Sequence, residues 1–162
     1  MSAPQAAGPG DETAGQTPAE RAAHGQAAMA EIMQIPVPDI TDPGSIGGLA
    51  AQYVYGDLWQ RPGLSRRERR LVTLTVLAVL SQNRLHTPLH IRAALNSGDL
   101  SEAELRESAV QIAFYAGWPL ATSFDAAIDS VTGSHSRYDQ VNPQMSRPAP
   151  GPPPPTQAEE QP

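Results

Sequence analysis

Ser65-Arg66-Arg67-Glu68-Arg69-Arg70-Leu71-Val72-Thr73-Leu74-Thr75-Val76-Leu77-Ala78-Val79-Leu80 decides the fold class. The run from Leu71 is apolar and β-branched enough for a buried strand. Two features turn it to helix. Ser65 and Glu68 have capping-box spacing, in which each side chain satisfies the other residue's backbone N–H. The run is also longer than a buried strand usually is. Apolar side chains fall on nearly every face, which predicts a central, buried helix over 66–82.

The flanking sequence supplies more helices. Ile46, Leu49, Ala50, Tyr53 and Val54 recur at helical spacing and predict an amphipathic helix, weakened at its start by Gly44, Gly47 and Gly48. Thr87 as N-cap, Pro88 in the first position and Asn96-Ser97-Gly98 as a stop predict a helix over 88–96. Ser101-Glu102-Ala103-Glu104 repeats the capping device ahead of Leu105, Ala109, Ile112, Ala113 and Ala116. Gly117-Trp118-Pro119 breaks that helix, and another is expected over 119–130 on Leu120, Phe124, Ala127 and Ile128. No alternating pattern suggests a strand. The fold class is therefore all-α, a compact domain of about five to six helices.

Composition bounds the rest. The 162 residues contain no cysteine, and all eleven cations are arginine, since lysine is absent. Thiol and side-chain amine nucleophiles are excluded. A net charge of -6 argues against a nucleic-acid partner. No apolar run is long enough for a membrane span, and no secretory signal is read at the N-terminus, so a cytoplasmic location is expected. Residues 1–33 read as a disordered tail poor in bulky apolar side chains, 34–140 as the helical domain, and 141–162 as a disordered Pro-rich tail.

His86 and His90 lie four residues apart at a helix start, and histidine is the natural proton carrier near neutral pH. His90 is expected in the first turn, where the helix dipole disfavours imidazolium and lowers its pKa. A neutral imidazole there suits a general base, and the same helix end can hold an anion. A packed, hydrogen-bonded histidine without chemistry is the plain alternative. Pro88 between the two rings and the lack of a nearby carboxylate in ligand spacing argue against a metal. Arg66, Arg67, Arg69 and Arg70 crowd a helix N-terminus that disfavours cations, so they are either solvated or paired with anions. Trp59, Tyr115 and Trp118 are either core residues or pocket walls.

Three ordered blocks carry a resemblance. Gly56-Asp-Leu-Trp59-Gln-Arg61-Pro-Gly-Leu-Ser65-Arg-Arg-Glu-Arg-Arg70-Leu-Val-Thr73, His90-Ile-Arg-Ala-Ala-Leu-Asn96-Ser-Gly98 and Ala113-Phe-Tyr115-Ala-Gly117-Trp118-Pro119 resemble the carboxymuconolactone decarboxylase family. The resemblance implies an all-helical protomer in a ring-like homo-oligomer, a trimer or hexamer, with sites near subunit contacts and no metal or organic cofactor. It also marks departures. The family's peroxidase branch has a Cys-x-x-Cys motif where Asn83 and His86 stand, so thiol peroxidase activity is excluded. The decarboxylase branch has glutamates at the places of His86 and Arg70.

These readings combine into a cofactor-independent enzyme acting on a small aromatic or lactone-like carbon acid. His90 is expected to remove a proton, with His86 as its partner. Arg70 is expected to hold a carboxylate or enolate. Trp59, Tyr115, Trp118, Arg61 and Asn83 are expected to bind substrate. Tailoring of an aromatic polyketide-like product, by dehydration or cofactor-free oxygenation, is the leading expectation. A carboxymuconolactone-type decarboxylase is the second, and a non-catalytic ring protein with a Pro-rich docking tail the third.

Overall fold

The computed structural model describes residues 15–80 and 85–134. Asn83 and the Pro-rich C-terminal segment lie outside the described residues. Helix α1 spans Pro18–Met33 and α2 Ile46–Leu49. The chain then widens into a π-helical stretch, Ala50–Asp57, and tightens into a 3-10 turn, Leu58–Gln60. Helices α3 (Arg66–Leu80), α4 (His86–Ser97), α5 (Glu102–Ala116) and α6 (Trp118–Thr132) follow. Among the described residues there is no strand, as the all-α reading expects. None of the helices is long and apolar enough to cross a membrane.

Two apolar clusters share one wall. The larger joins Leu74 and Ala78 of α3, Ile91 and Ala94 of α4, Leu105, Ala109 and Ile112 of α5, and Phe124 and Ile128 of α6. The smaller joins Ala28, Ile32 and Met33 of α1 with Trp59 and Ala93. Helix α4 separates them, turning Ile91 and Ala94 one way and Ala93 the other.

The capping boxes form where the spacing placed them. In α3 the Glu68 carboxylate accepts from the Ser65 N–H at 2.7 Å, and Ser65 Oγ accepts from the Glu68 N–H at 3.2 Å. Ser101 and Glu104 repeat this at α5. Helix α6 begins at Trp118, one residue before the expected boundary.

Four expectations are corrected. Residues 18–33 form helix α1 rather than a disordered tail, opened by a Thr17–Glu20 capping box with Pro18 in its first turn. Small residues, Ala22, Gly25 and Ala28, let this helix dock closely without a bulky apolar stripe. Helix α3 is not buried all round: Arg70, Leu74 and Ala78 are buried, while Val72, Val76 and Leu80 are half or more exposed. A single stripe of α3 meets the other helices of its own chain. The segment after Ser45 carries Ile46, Leu49, Tyr53 and Val54 outward and buries Gly48, Ala51, Gln52 and Gly56. Finally, α4 starts at His86 with Leu85 as its cap, so His90 is the fifth helical residue rather than part of the first turn.

The outward turn of Ile46 and Tyr53 has a steric cause. Helix α1 and the π-helical stretch meet backbone to backbone. A Cβ on Gly25 would lie 1.9 Å from the Ala51 carbonyl oxygen, and Gly56 lies in the same contact. Backbone cannot yield as a side chain can. Gly25→Ala should therefore cost about 1–3 kcal/mol or more, the range of an overpacked core. Urea unfolding against an exposed control, Ala27→Gly, measures it; an unchanged midpoint for Gly25→Ala would refute this packing.

Candidate active site

Arg70 is completely buried and faces the junction of the two clusters. It enters on the inner stripe of α3, one turn before Leu74. Its Nε donates to Asp99 Oδ2 at 3.2 Å. One terminal nitrogen donates to His90 Nδ1 at 3.1 Å and reaches Met33 Sδ at 3.5 Å, and the other donates to the Ile32 carbonyl. The guanidinium carbon sits 4.7 Å from the centre of the Trp59 ring, a cation–π contact. Trp59 also stacks on His90, with ring centres 6.2 Å apart and planes 19° apart, and on Tyr55 at 6.4 Å.

Asp99 comes from the link between α4 and α5. Gly98, in the left-handed region at φ 69°, ends α4 and turns the chain back. The Asp99 carboxylate then receives Arg70 on one oxygen and Arg66 Nε, at 3.0 Å, on the other. Its carbonyl accepts from Arg67 at 2.8 Å, and Arg67 also pairs with Glu104. Arg69 donates to the Arg61 carbonyl. The crowded arginines of α3 therefore find their partners within the chain.

These contacts fix the state of His90. Arginine has donors only, so Nδ1 must be the acceptor and the neutral ring carries its hydrogen on Nε2. Burial first, then the Arg70 charge and His86, lowers the His90 pKa from 6.5 to about 4. The shift has the expected direction, with burial as its largest cause and Arg70 next. Burial also lowers Arg70 itself, against the opposing pull of Asp99. Burial raises the Tyr55 phenol, opposed by Arg70.

The structure brings Arg70, His90 and Trp59 together and places His86 one turn before His90, at the exposed start of α4. Among the described residues, it does not bring in Tyr115, Trp118 or Arg61. Tyr115 and Trp118 are 85% and 65% exposed, and Trp118 packs on Phe114 instead. Tyr115 lines a groove of about 570 Å³ between α3 and α5, with Leu71, Thr75, Val79 and Gln111. Neither His90 nor Arg70 lines that groove. Arg61 contributes its carbonyl, and its side chain is exposed. Arg70 cannot clamp a substrate carboxylate as expected, because it is sealed from solvent and its donors are engaged. Among the described residues, no three His, Asp or Glu side chains gather as metal ligands.

Sequence reasoning missed Asp99, Tyr55, Met33 and the Ile32 carbonyl. Asp99 had a signal: an acid directly after a helix-stopping glycine, in a chain whose neighbouring arginines need anions. The Ile32 carbonyl had none, since any residue supplies one.

Arg70, His90 and helices α3 to α5 sit within the segment, residues 48–129, that matches the carboxymuconolactone decarboxylase family, and the chain belongs to that family. A nitrosuccinic acid decarboxylase of Metarhizium robertsii is 39% identical over 79 residues, which are 49% of this chain and 52% of that protein. The 4-carboxymuconolactone decarboxylase of Acinetobacter baylyi is 36% identical over 73 residues, 45% of this chain and 53% of that protein. The matched stretch thus spans about half the length of these curated relatives.

The sign of the His90 shift gives a pH prediction. Between pH 6.5 and about 4 the unfolded chain binds a proton on this ring and the folded chain does not. Stability should therefore fall as pH drops through that window, by about 1.4 kcal/mol per unit from this group. Comparing urea unfolding at pH 7 and pH 5, wild type should lose about 2 kcal/mol more than His90→Gln. Equal losses would show that the ring is not held neutral.

Proposed function

We propose that the protein is a decarboxylase acting on a small carboxylated carbon acid, with His90 as a neutral hydrogen-bond donor rather than a base. The observation that carries this is the 3.1 Å bond from Arg70 to His90 Nδ1. A ring with Nδ1 so engaged and a pKa of about 4 is a poor proton acceptor at pH 7. It is a good donor through Nε2–H, since the adjacent guanidinium draws charge from the ring and makes that hydrogen more acidic.

Decarboxylation needs such a donor. The bond from carbon to the carboxylate breaks, carbon dioxide leaves, and the electron pair stays on carbon. An electron-withdrawing neighbour spreads that pair onto its own oxygen. Nε2–H would stabilise the negative charge on this oxygen, and a proton then replaces the lost carboxyl group. His86, on the exposed side of the same helix, is the proposed relay for that proton. Both named relatives are decarboxylases, which favours this outcome over the dehydration or oxygenation expected from the sequence.

Carbon dioxide release from nitrosuccinic acid and from 4-carboxymuconolactone tests the reading. Turnover of at least one is expected. His90→Ala should lower kcat by about 100-fold, as loss of an oxyanion donor does, and His90→Gln should recover part of it through its amide N–H. Folded His90→Ala with full turnover, or no release from either compound, would overturn the proposal.

We further propose that the chain works as a homo-oligomer, a trimer or hexamer ring, through the face holding Val72, Val76, Phe114, Tyr115 and Trp118. These side chains, from α3, α5 and the start of α6, are 50–85% exposed, and large apolar side chains exposed in number mark surfaces that bind a partner. Tyr115 and Trp118 would then meet a second copy. Val76→Glu should dissociate the assembly in light scattering while the helical circular dichroism persists; an unchanged mass would place the interface elsewhere.

A further inference from the structure

We propose that Asp99 is a positioning residue: through Arg70, it holds His90 as an Nε2–H donor. The proposal rests on the His90 reading above. Three observations carry it. Asp99 is nearly buried, and its side chain lies between Arg66 at 3.0 Å and Arg70 at 3.2 Å. Arg70 in turn offers its hydrogen to His90 Nδ1 at 3.1 Å. The Asp99 backbone is held from both sides, its carbonyl by Arg67 and its N–H by Ser97 Oγ.

This carboxylate does two things to Arg70. It supplies the nearby negative charge that keeps a sealed guanidinium protonated. It also sets the plane of the fork by taking Nε, leaving the terminal nitrogens to aim at His90 and the Ile32 carbonyl. Trp59 covers the face of the same group at 4.7 Å and bars rotation toward its side. Among the described residues, the charged and titratable groups around the His90 ring are Arg70 from α3, His86 from α4 and, beyond Trp59, Tyr55 from the π-helical stretch. Arg66 shares the Asp99 carboxylate and leans on Glu31 of α1. A neutral residue at 99 would leave two guanidiniums facing one amide, and Arg70 would lose its fixed aim.

Nitrogen-15 spectra of the histidine rings and arginine side chains, with kcat and KM on the better of the two test acids, decide the matter. Asp99→Asn should move the His90 Nδ1 shift toward that of a free acceptor and expose the Arg70 Nε–H to exchange. It should lower kcat about tenfold or more and leave KM within about twofold, the pattern of an interaction felt in the transition state. Asp99→Glu keeps the charge one methylene further out and should give a smaller change in the same direction; it decides the case if Asp99→Asn does not fold. An unchanged His90 Nδ1 shift in a folded variant overturns the proposal, whatever happens to kcat. An altered shift with unchanged kcat also overturns it. Failure of wild type to decarboxylate either acid sinks the reading of the activity instead, and the spectra still decide whether Asp99 sets the ring.

Discussion

A positive charge with no contact with water is the constraint around which this chain is arranged. The Arg70 guanidinium is fully buried. Removing an ion from water costs several kcal/mol even after relaxation, and the cost is offset only when the remaining groups satisfy it. Here one carboxylate, one imidazole nitrogen, one backbone carbonyl, a thioether and an indole face surround it. These groups come from α1, the 3-10 turn, α4 and the α4–α5 link. Each element must be in place before the charge is compensated, so the cation ties the two apolar clusters into one unit. Lysine could not replace it: a point charge with three donors cannot face a carboxylate, a ring nitrogen and a carbonyl in one plane.

The same arrangement reverses the obvious reading of the histidine. A histidine at a helix start invites assignment as a base. A cation pressed against Nδ1 makes proton uptake unfavourable and leaves one useful hydrogen on Nε2. Burial acts in the same direction as the cation, so the ring's neutrality does not depend on one weak effect. A reaction that builds negative charge on oxygen gains from such a donor, whereas a step that needs this ring to take up a proton does not.

How much could be read from the residues follows the range of the interactions involved. The caps of α3 and α5, and the stripe of Leu105, Ala109, Ile112 and Ala113, are local and were legible. Helix α1 has the same kind of start signal in Thr17, Pro18 and Glu20, but composition alone hides the helix, because contact through Ala22, Gly25 and Ala28 leaves no bulky apolar stripe to detect. The outward turn of Ile46 and Tyr53 was illegible for the related reason that close backbone approach selected the glycine face for burial. In the site, Arg70, His90 and Trp59 were visible as unusual residues. Their mutual geometry depends on Asp99 and on a main-chain carbonyl, which no spacing rule connects. Tyr115 and Trp118 were conspicuous for being aromatic and rare, and that rarity does not tell an inner wall from an outer one.

The inside and outside of this chain are partly exchanged, and the two halves of the exchange have one explanation. Arg70, Asp99, His90, Gln52, Thr87 and Asp129 are buried, while Val72, Val76, Leu80, Phe114 and Trp118 face outward. A small domain has little apolar burial to spare. Spending interior positions on ions is tolerable when more apolar surface becomes buried elsewhere, and the proposed contact between copies supplies that through α3 and the α5–α6 corner. Under that proposal helix α3 would carry both functions on opposite sides: one stripe holds Arg70 against His90, and the other, with Val72 and Val76, would meet the neighbour. A change in how copies pack would then bear on the helix that aims the guanidinium, and the proposed chemistry and the proposed assembly would share a single rigid element.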